Sequence, residues 1–244
     1  MKTALKIILL LGVVGYLIYA IIGLSRSEED YICQGIEIAI QDSTRNTFLD
    51  SEFVRDILAE NKISPEGSNI SQIDLYSIEK AVGANTYIDS VLCYFTAEHN
   101  LCISVIPRVP IMHIMTASGQ DFYMDAKGHT MPGGEFNLDL CLITGNVNAE
   151  LCRKNLIPLA MFLRENPRWN SEIEQIIVKD AHHIYLIPKS GDFQIGIGEA
   201  NNMAEKMQRL DTFIHEGLDK AGWNKYGTVD VSYDGQVVCT KKKQ

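Results

Sequence analysis

The stretch Leu101-Cys102-Ile103-Ser104-Val105-Ile106-Pro107 sets large apolar side chains at alternate positions and ends in a proline. Leu101, Ile103 and Val105 share one face, which is the period of a half-buried strand. Immediately upstream, Ile88 to Phe95 reads as another strand, joined to the first by Ala97-Glu98-His99-Asn100. Further back, Asp74 is an N-cap for a helix that aligns Leu75, Ile78 and Val82, with Gly83 near its end. A polar link, Ser64-Pro65-Glu66-Gly67-Ser68-Asn69, precedes it. Before the link, Asp50 caps a helix with Phe53, Val54, Ile57 and Leu58 on one face. The block opens with Gln34 to Ile40, where isoleucine alternates with polar or small residues as in a strand. Residues 31–107 therefore read β-α-α-β-β, an α+β module.

Residues 108–241 form a second, β-rich block with flanking helices. Pro110–Met115 and Asp121–Met124 flank Ala117-Ser118-Gly119-Gln120, and Asp125-Ala126-Lys127-Gly128 reads as a tight turn. Asn148 caps a helical stretch carrying Leu151, Leu156, Leu159 and Phe162, which Pro158 must break or restart. Ile173 to Leu186 is strand-rich, and Phe193 to Ile197 follows the turn at Gly191-Asp192. Asn202 with Glu205 suggests a capping box. The helix behind it aligns Met203, Met207, Leu210 and Ile214. Gly227 to Thr240 closes the chain as a strand pair or one bent strand around Tyr233-Asp234-Gly235.

The amino terminus has a different character. Ile7–Leu24 carries no charged side chain. As a helix it would span about 27 Å, against a hydrocarbon thickness of about 30 Å. Lys2 and Lys6 precede the run, and Arg26, Glu28, Glu29 and Asp30 follow it. By the positive-inside rule, residues 1–6 are a cytoplasmic tail, 7–24 a signal anchor, and the rest lies outside. A cleaved signal peptide fits less well, because no Ala-x-Ala pattern follows the run.

The chemistry of the remaining residues is sparse. A formal net charge of −9, with 22 Lys+Arg against 31 Asp+Glu, argues against neutralising nucleic-acid phosphates. With 46% hydrophobic and 22% charged residues the chain is globular. Cys33, Cys93, Cys102, Cys141, Cys152 and Cys239 form no C-x-x-C and no zinc-ligand spacing. Their pairing stays open, and several fit equally well as small buried hydrophobes. Gly196-Ile197-Gly198 lacks the third glycine of a dinucleotide loop, where Asn201 stands. His182 and His183 are adjacent in a strand-like run and so face opposite ways. Asp125 is most simply the side chain of its own turn. No catalytic, cofactor-binding or metal-binding residue is expected, and the chain reads as a non-enzymatic protein that works by contact. Its β-prone end, Val229 to Thr240, has the character of a sheet edge open to another chain's strand.

Taken in order, these features resemble the bacterial cell-division family FtsQ, called DivIB in Gram-positive bacteria. The resemblance is carried by the anchor and by Ile73–Val82, Asn85-Thr86-Tyr87-Ile88 and Leu101–Val105, which are similar to the family's POTRA domain. It continues through Val105-Ile106-Pro107-Arg108-Val109-Pro110, Phe122–Gly128, Leu142-Ile143-Thr144-Gly145 and Lys206–Leu210. It ends at Val229-Asp230-Val231-Ser232-Tyr233-Asp234-Gly235, after which Gln236 to Lys241 resembles members from Bacteroidetes.

The resemblance implies a scaffold of the divisome, single-pass in the inner membrane with its bulk in the periplasm, at the division site. It would link early and late division proteins and regulate septal wall synthesis. In the family the β domain binds the bitopic proteins FtsB and FtsL through strand addition at the last strand, and the POTRA domain is associated with FtsK. Carried onto this chain, the partner-binding residues are Tyr233, Asp234, Gly235, Gln236, Val237 and Val238, with backbone pairing over Gln236 to Val238. Ser232 stands where proteobacterial members tend to carry a basic residue, so an ion pair there is not implied. The competing readings are a POTRA-bearing secretion or outer-membrane assembly component, and an envelope hydrolase.

Overall fold

The computed structural model describes residues 2–24, 31–41, 49–134, 138, 140–218 and 225–242. It divides into two units, Met1–Pro107 and Arg108–Gln244. The first contains helix α1, Lys2–Leu24, 23 residues long. Side chains of α1 are described only from Leu10 to Ile21. Among the described residues no helix is long and apolar enough to cross a membrane. The span over 7–24 therefore rests on the uncharged run in the sequence.

The rest of this unit has the expected order: β1 (Ile36–Ile40), α2 (Ser51–Glu60), α3 (Leu75–Gly83), β2 (Ile88–Phe95) and β3 (Leu101–Pro107). The caps are those the sequence implies. Asp50 accepts from the Phe53 amide at 2.8 Å, and Asp74 accepts from the Ser77 amide at 3.3 Å. Each satisfies an amide that has no partner within its own helix. The sheet order is β1-β3-β2, with β1 parallel and β2 antiparallel to β3. Helices α2 and α3 bury Val54, Ile57, Leu58, Ile78 and Val82 against Leu101, Ile103 and Val105.

β3 is covered on both faces: opposite Leu101, Ile103 and Val105, Cys102 and Ser104 are only 5% and 6% exposed. The strand is central, and these small residues lie opposite Tyr94 and Leu92 of β2 and Glu37 and Ala39 of β1. The Ser104 hydroxyl also accepts from the Gln41 amide at 2.8 Å.

The second unit is a nine-stranded sheet in the order β12-β11-β10-β9-β8-β7-β4-β5-β6. Its strands are β4 (Pro110–Thr116), β5 (Asp121–Asp125), β6 (Thr130–Pro132), β7 (Leu142–Gly145), β8 (Ile173–Asp180), β9 (His183–Pro188), β10 (Gln194–Gly198), β11 (Tyr226–Asp230) and β12 (Val238–Lys241). β7 is parallel to both β4 and β8, and β10 is parallel to β11. Ile114, Ile143, Ile176, Leu186, Ile195 and Val229 share one core with residues of the helices.

Those helices are α4 (Ala149–Leu151), α5 (Ile157–Glu165), α6 (Pro167–Glu172) and α7 (Met203–Phe213), the last running on into a π-helical turn, Ile214–Leu218. Asn148 caps α4 through the Leu151 amide at 2.8 Å. A π-helical turn, Cys152–Leu156, leads into α5, where Pro158 occupies the first turn. There the missing N–H costs nothing.

The capping box at Asn202 is not formed. Asn202 is left-handed, φ 48°, and its side chain makes no cap bond. The buried Lys206 reaches back instead, and its ammonium donates to the Glu199 carbonyl and to Asn201 Oδ1, both at 2.8 Å. All six cysteines are free.

Candidate functional site

The two edges of the large sheet differ in what they offer another chain. β6 is three residues long and ends in Pro132, which has no N–H to give. β12 pairs with β11 on one side, and among the described residues no strand lies on its other side.

The turn that creates this edge begins at Asp230. Its Oδ1 accepts from the Ser232 amide at 2.8 Å and from the Ser232 hydroxyl at 2.6 Å, turning the chain out of β11. Gly235 then takes φ 70°, with open space where a Cβ would stand, so only backbone conformation constrains the position. The chain returns at Val238 as β12, with Asp230↔Val238, Val229↔Cys239 and Thr228↔Thr240 in register.

Two backbone bonds fix which groups of β12 face outward. The Val231 amide donates to the Gly196 carbonyl of β10 at 2.8 Å. Along a strand, N–H and C=O groups alternate sides. Val229 therefore points toward β10, while Asp230 and Thr228 point toward β12. Val238 and Thr240 bond back to them, and Cys239 sits in the non-bonded pair with its N–H and C=O turned away. The bond from the Lys242 amide to the Lys225 carbonyl, 3.3 Å, obeys the same alternation and leaves Lys241 outward with Cys239.

The residues expected from the sequence are thus brought together, but not as one strand. Tyr233, 52% exposed, lies with Asp234 and Gly235 in the turn rather than in a closing strand. Gln236 and Val237 precede β12, and only Val238, 43% exposed, belongs to it. The outward backbone groups fall one residue later, on Cys239 and Lys241. Of the two readings of Gly227 to Thr240, the strand pair around Tyr233-Asp234-Gly235 is the one formed, with Cys239 in its return arm.

Two concavities flank the hairpin. One, about 460 Å³, is lined by His182, Glu199, Lys206, Asp230, Tyr233 and Asp234 among others. Lys206 is 5% exposed there. Burial pushes its pKa down, opposed by the carboxylates of Glu199, Asp234 and Asp230. The other, about 720 Å³, runs between α7 and the approach to β12, past Arg209, Phe213, Gln236 and Val237.

The remaining candidates have local partners. His182 Nδ1 lies 2.6 Å from Glu199 Oε1, while His183 Nδ1 lies 2.9 Å from Asp180, so the adjacent imidazoles have separate partners. Asp125, 4% exposed, accepts from the Lys127 and His129 amides at 2.9 and 2.8 Å. It also accepts from Arg108 Nη1 at 2.8 Å. Among the described residues, no three His, Cys, Asp or Glu side chains converge as metal ligands would.

Comparison with known proteins agrees with this division of the chain. A POTRA-like domain family matches residues 31–106, the three-stranded unit after α1. No curated protein matches the chain. The family described as FtsQ/DivIB, C-terminal related matches residues 109–240, the nine-stranded sheet with its helices and terminal hairpin, and the chain belongs to the FtsQ/DivIB family.

Proposed function

We propose that this chain is a non-enzymatic scaffold of the bacterial divisome, held in the inner membrane by residues 7–24 with both units in the periplasm at the division site. It captures bitopic partners of the FtsB and FtsL type by strand addition along β12, linking early and late division proteins and regulating septal wall synthesis. Its POTRA unit takes the contact with upstream proteins such as FtsK. The observation that supports the binding mode is the outward N–H and C=O of Cys239 on an edge strand, a ready template for an incoming strand. Supporting the anchor is the exposed apolar surface of α1, where Leu11 is 64% and Tyr19 77% exposed. Such a helix gains from an apolar surround.

The test is capture from the native envelope, comparing the full chain with one ending before Ser232. Small bitopic coiled-coil proteins retained by the full chain alone support the reading. An identical catch from both chains places the binding surface elsewhere. Capture of outer-membrane assembly components instead overturns the division role.

A further inference from the structure

Residues Tyr31 to Cys33, which open the POTRA unit, are fastened to it on two sides. Ile32 bridges Asn69 in antiparallel fashion. The Ile70 amide donates to the Tyr31 carbonyl, the Cys33 amide to Ser68, and the Gly67 amide to the Cys33 carbonyl, each at 2.9 Å. On the other side, the Tyr31 ring stacks on His99 with centroids 4.1 Å apart. Cys33 is 2% exposed in the core and turns its neighbour Ile32 outward at 50% exposure, while Tyr31 keeps 43% of its surface exposed beside His99.

Tyr31 stands seven residues after Leu24. Fully extended, that length reaches no more than about 25 Å. An aromatic ring with a polar tip beside an exposed isoleucine suits the interfacial layer of a bilayer. The flanking turns add exposed carboxylates, Glu66 and Glu98, which complement the cationic groups of zwitterionic lipids and repel anionic ones.

We propose that this edge of the POTRA unit, centred on Tyr31 and Ile32, rests on the zwitterionic headgroups of the membrane that holds residues 7–24. The unit then stands at a fixed height and orientation above the bilayer. This rests on the anchor reading above, so the experiment separates the two.

The full chain is placed in zwitterionic vesicles and nanodiscs carrying a headgroup nitroxide lipid, as Tyr31→Trp, Ile32→Trp and, at the far end of β2, Ser90→Trp. The unsubstituted chain supplies the background of its own two tryptophans. Flotation reports the anchor, and circular dichroism checks folding of each variant. Flotation with quenching at least twofold stronger at positions 31 and 32 than at 90 is the expected result. Flotation with equal quenching at the three positions overturns the headgroup contact and leaves the anchor standing. Failure to float overturns both. Quenching that strengthens with added anionic lipid overturns the zwitterionic preference.

Discussion

The Val231 amide bonds the Gly196 carbonyl across 2.8 Å, and this one contact determines the polarity of the whole terminal edge. Had Val231 bonded toward β12, Cys239 would be consumed inside the hairpin and Val238 and Thr240 would face outward. As it stands, neighbouring residues of one short strand have opposite duties. Thr240 turns its backbone groups toward β11, and Cys239 turns its own away from it.

That division makes a paired test. Cys239→Pro removes an outward donor and leaves the bonds to β11 in place, so partner binding should fall at least tenfold, about 1.4 kcal/mol or more, with little change in melting temperature. Thr240→Pro removes an inward donor, and should lower both stability and binding. Cys239→Val keeps the N–H and should bind nearly as the parent does. Binding isotherms with a partner's periplasmic segment, alongside thermal melts, decide it. If Cys239→Pro binds normally, strand addition at this position is excluded.

Tyr233 projects from the turn with half its surface in solvent. Tyr233→Ala should therefore cost the fold under about 0.5 kcal/mol. As an aromatic anchor for a partner it should cost binding about 2 kcal/mol. A binding loss below about 0.5 kcal/mol in the same titration removes Tyr233 from the interface.

Asp230 shapes the turn. Asp230→Ala deletes the two bonds to Ser232. It should cost about 1 kcal/mol in urea unfolding, with faster amide exchange at Val238 and Thr240. Asp230→Asn keeps an acceptor and should recover most of the loss. If exchange in β12 is unchanged in the alanine variant, the turn does not depend on this side chain.

The readable parts of the chain were those where local chemistry and tertiary placement agree. Asp50 and Asp74 cap helices whose apolar faces repeat at helical spacing, and the strands behind them alternate at period two, so residues 31–107 could be ordered from sequence. Cys102 already fits there as a small buried hydrophobe, and only the flanking strands, with Leu92 and Ala39, show why Ser104 is covered as well. β6 and β7 are three and four residues long, too short for periodicity to register, and β7 is defined by parallel neighbours far away in sequence. At Asn202 the right residue types stand at capping spacing, but a left-handed backbone defeats them. The terminal hairpin is legible from its turn residues, Asp230, Ser232 and Gly235. What was missed is the direction of each backbone group, which depends on β10, a strand the hairpin's own sequence does not mention.

The acid response of the second unit should centre on Asp125. Burial pushes its carboxyl pKa up, but hydrogen bonds from Arg108 and from His129 outweigh that and hold it below the ordinary carboxylate range. A depressed native pKa means stability that is present above the unfolded-state value, about 4, and lost as pH falls below it through the native value. Asp125→Asn should melt lower than the parent at pH 6, by about 1–3 kcal/mol, and should lose less on going from pH 5 to pH 3. Arg108→Ala should move the same way by less, because the guanidinium is one of several donors that lower the carboxyl pKa and the bonds from Lys127 and His129 remain. Thermal melts across that range give the slopes, and parallel slopes for all three proteins would move the acid-sensitive group away from Asp125.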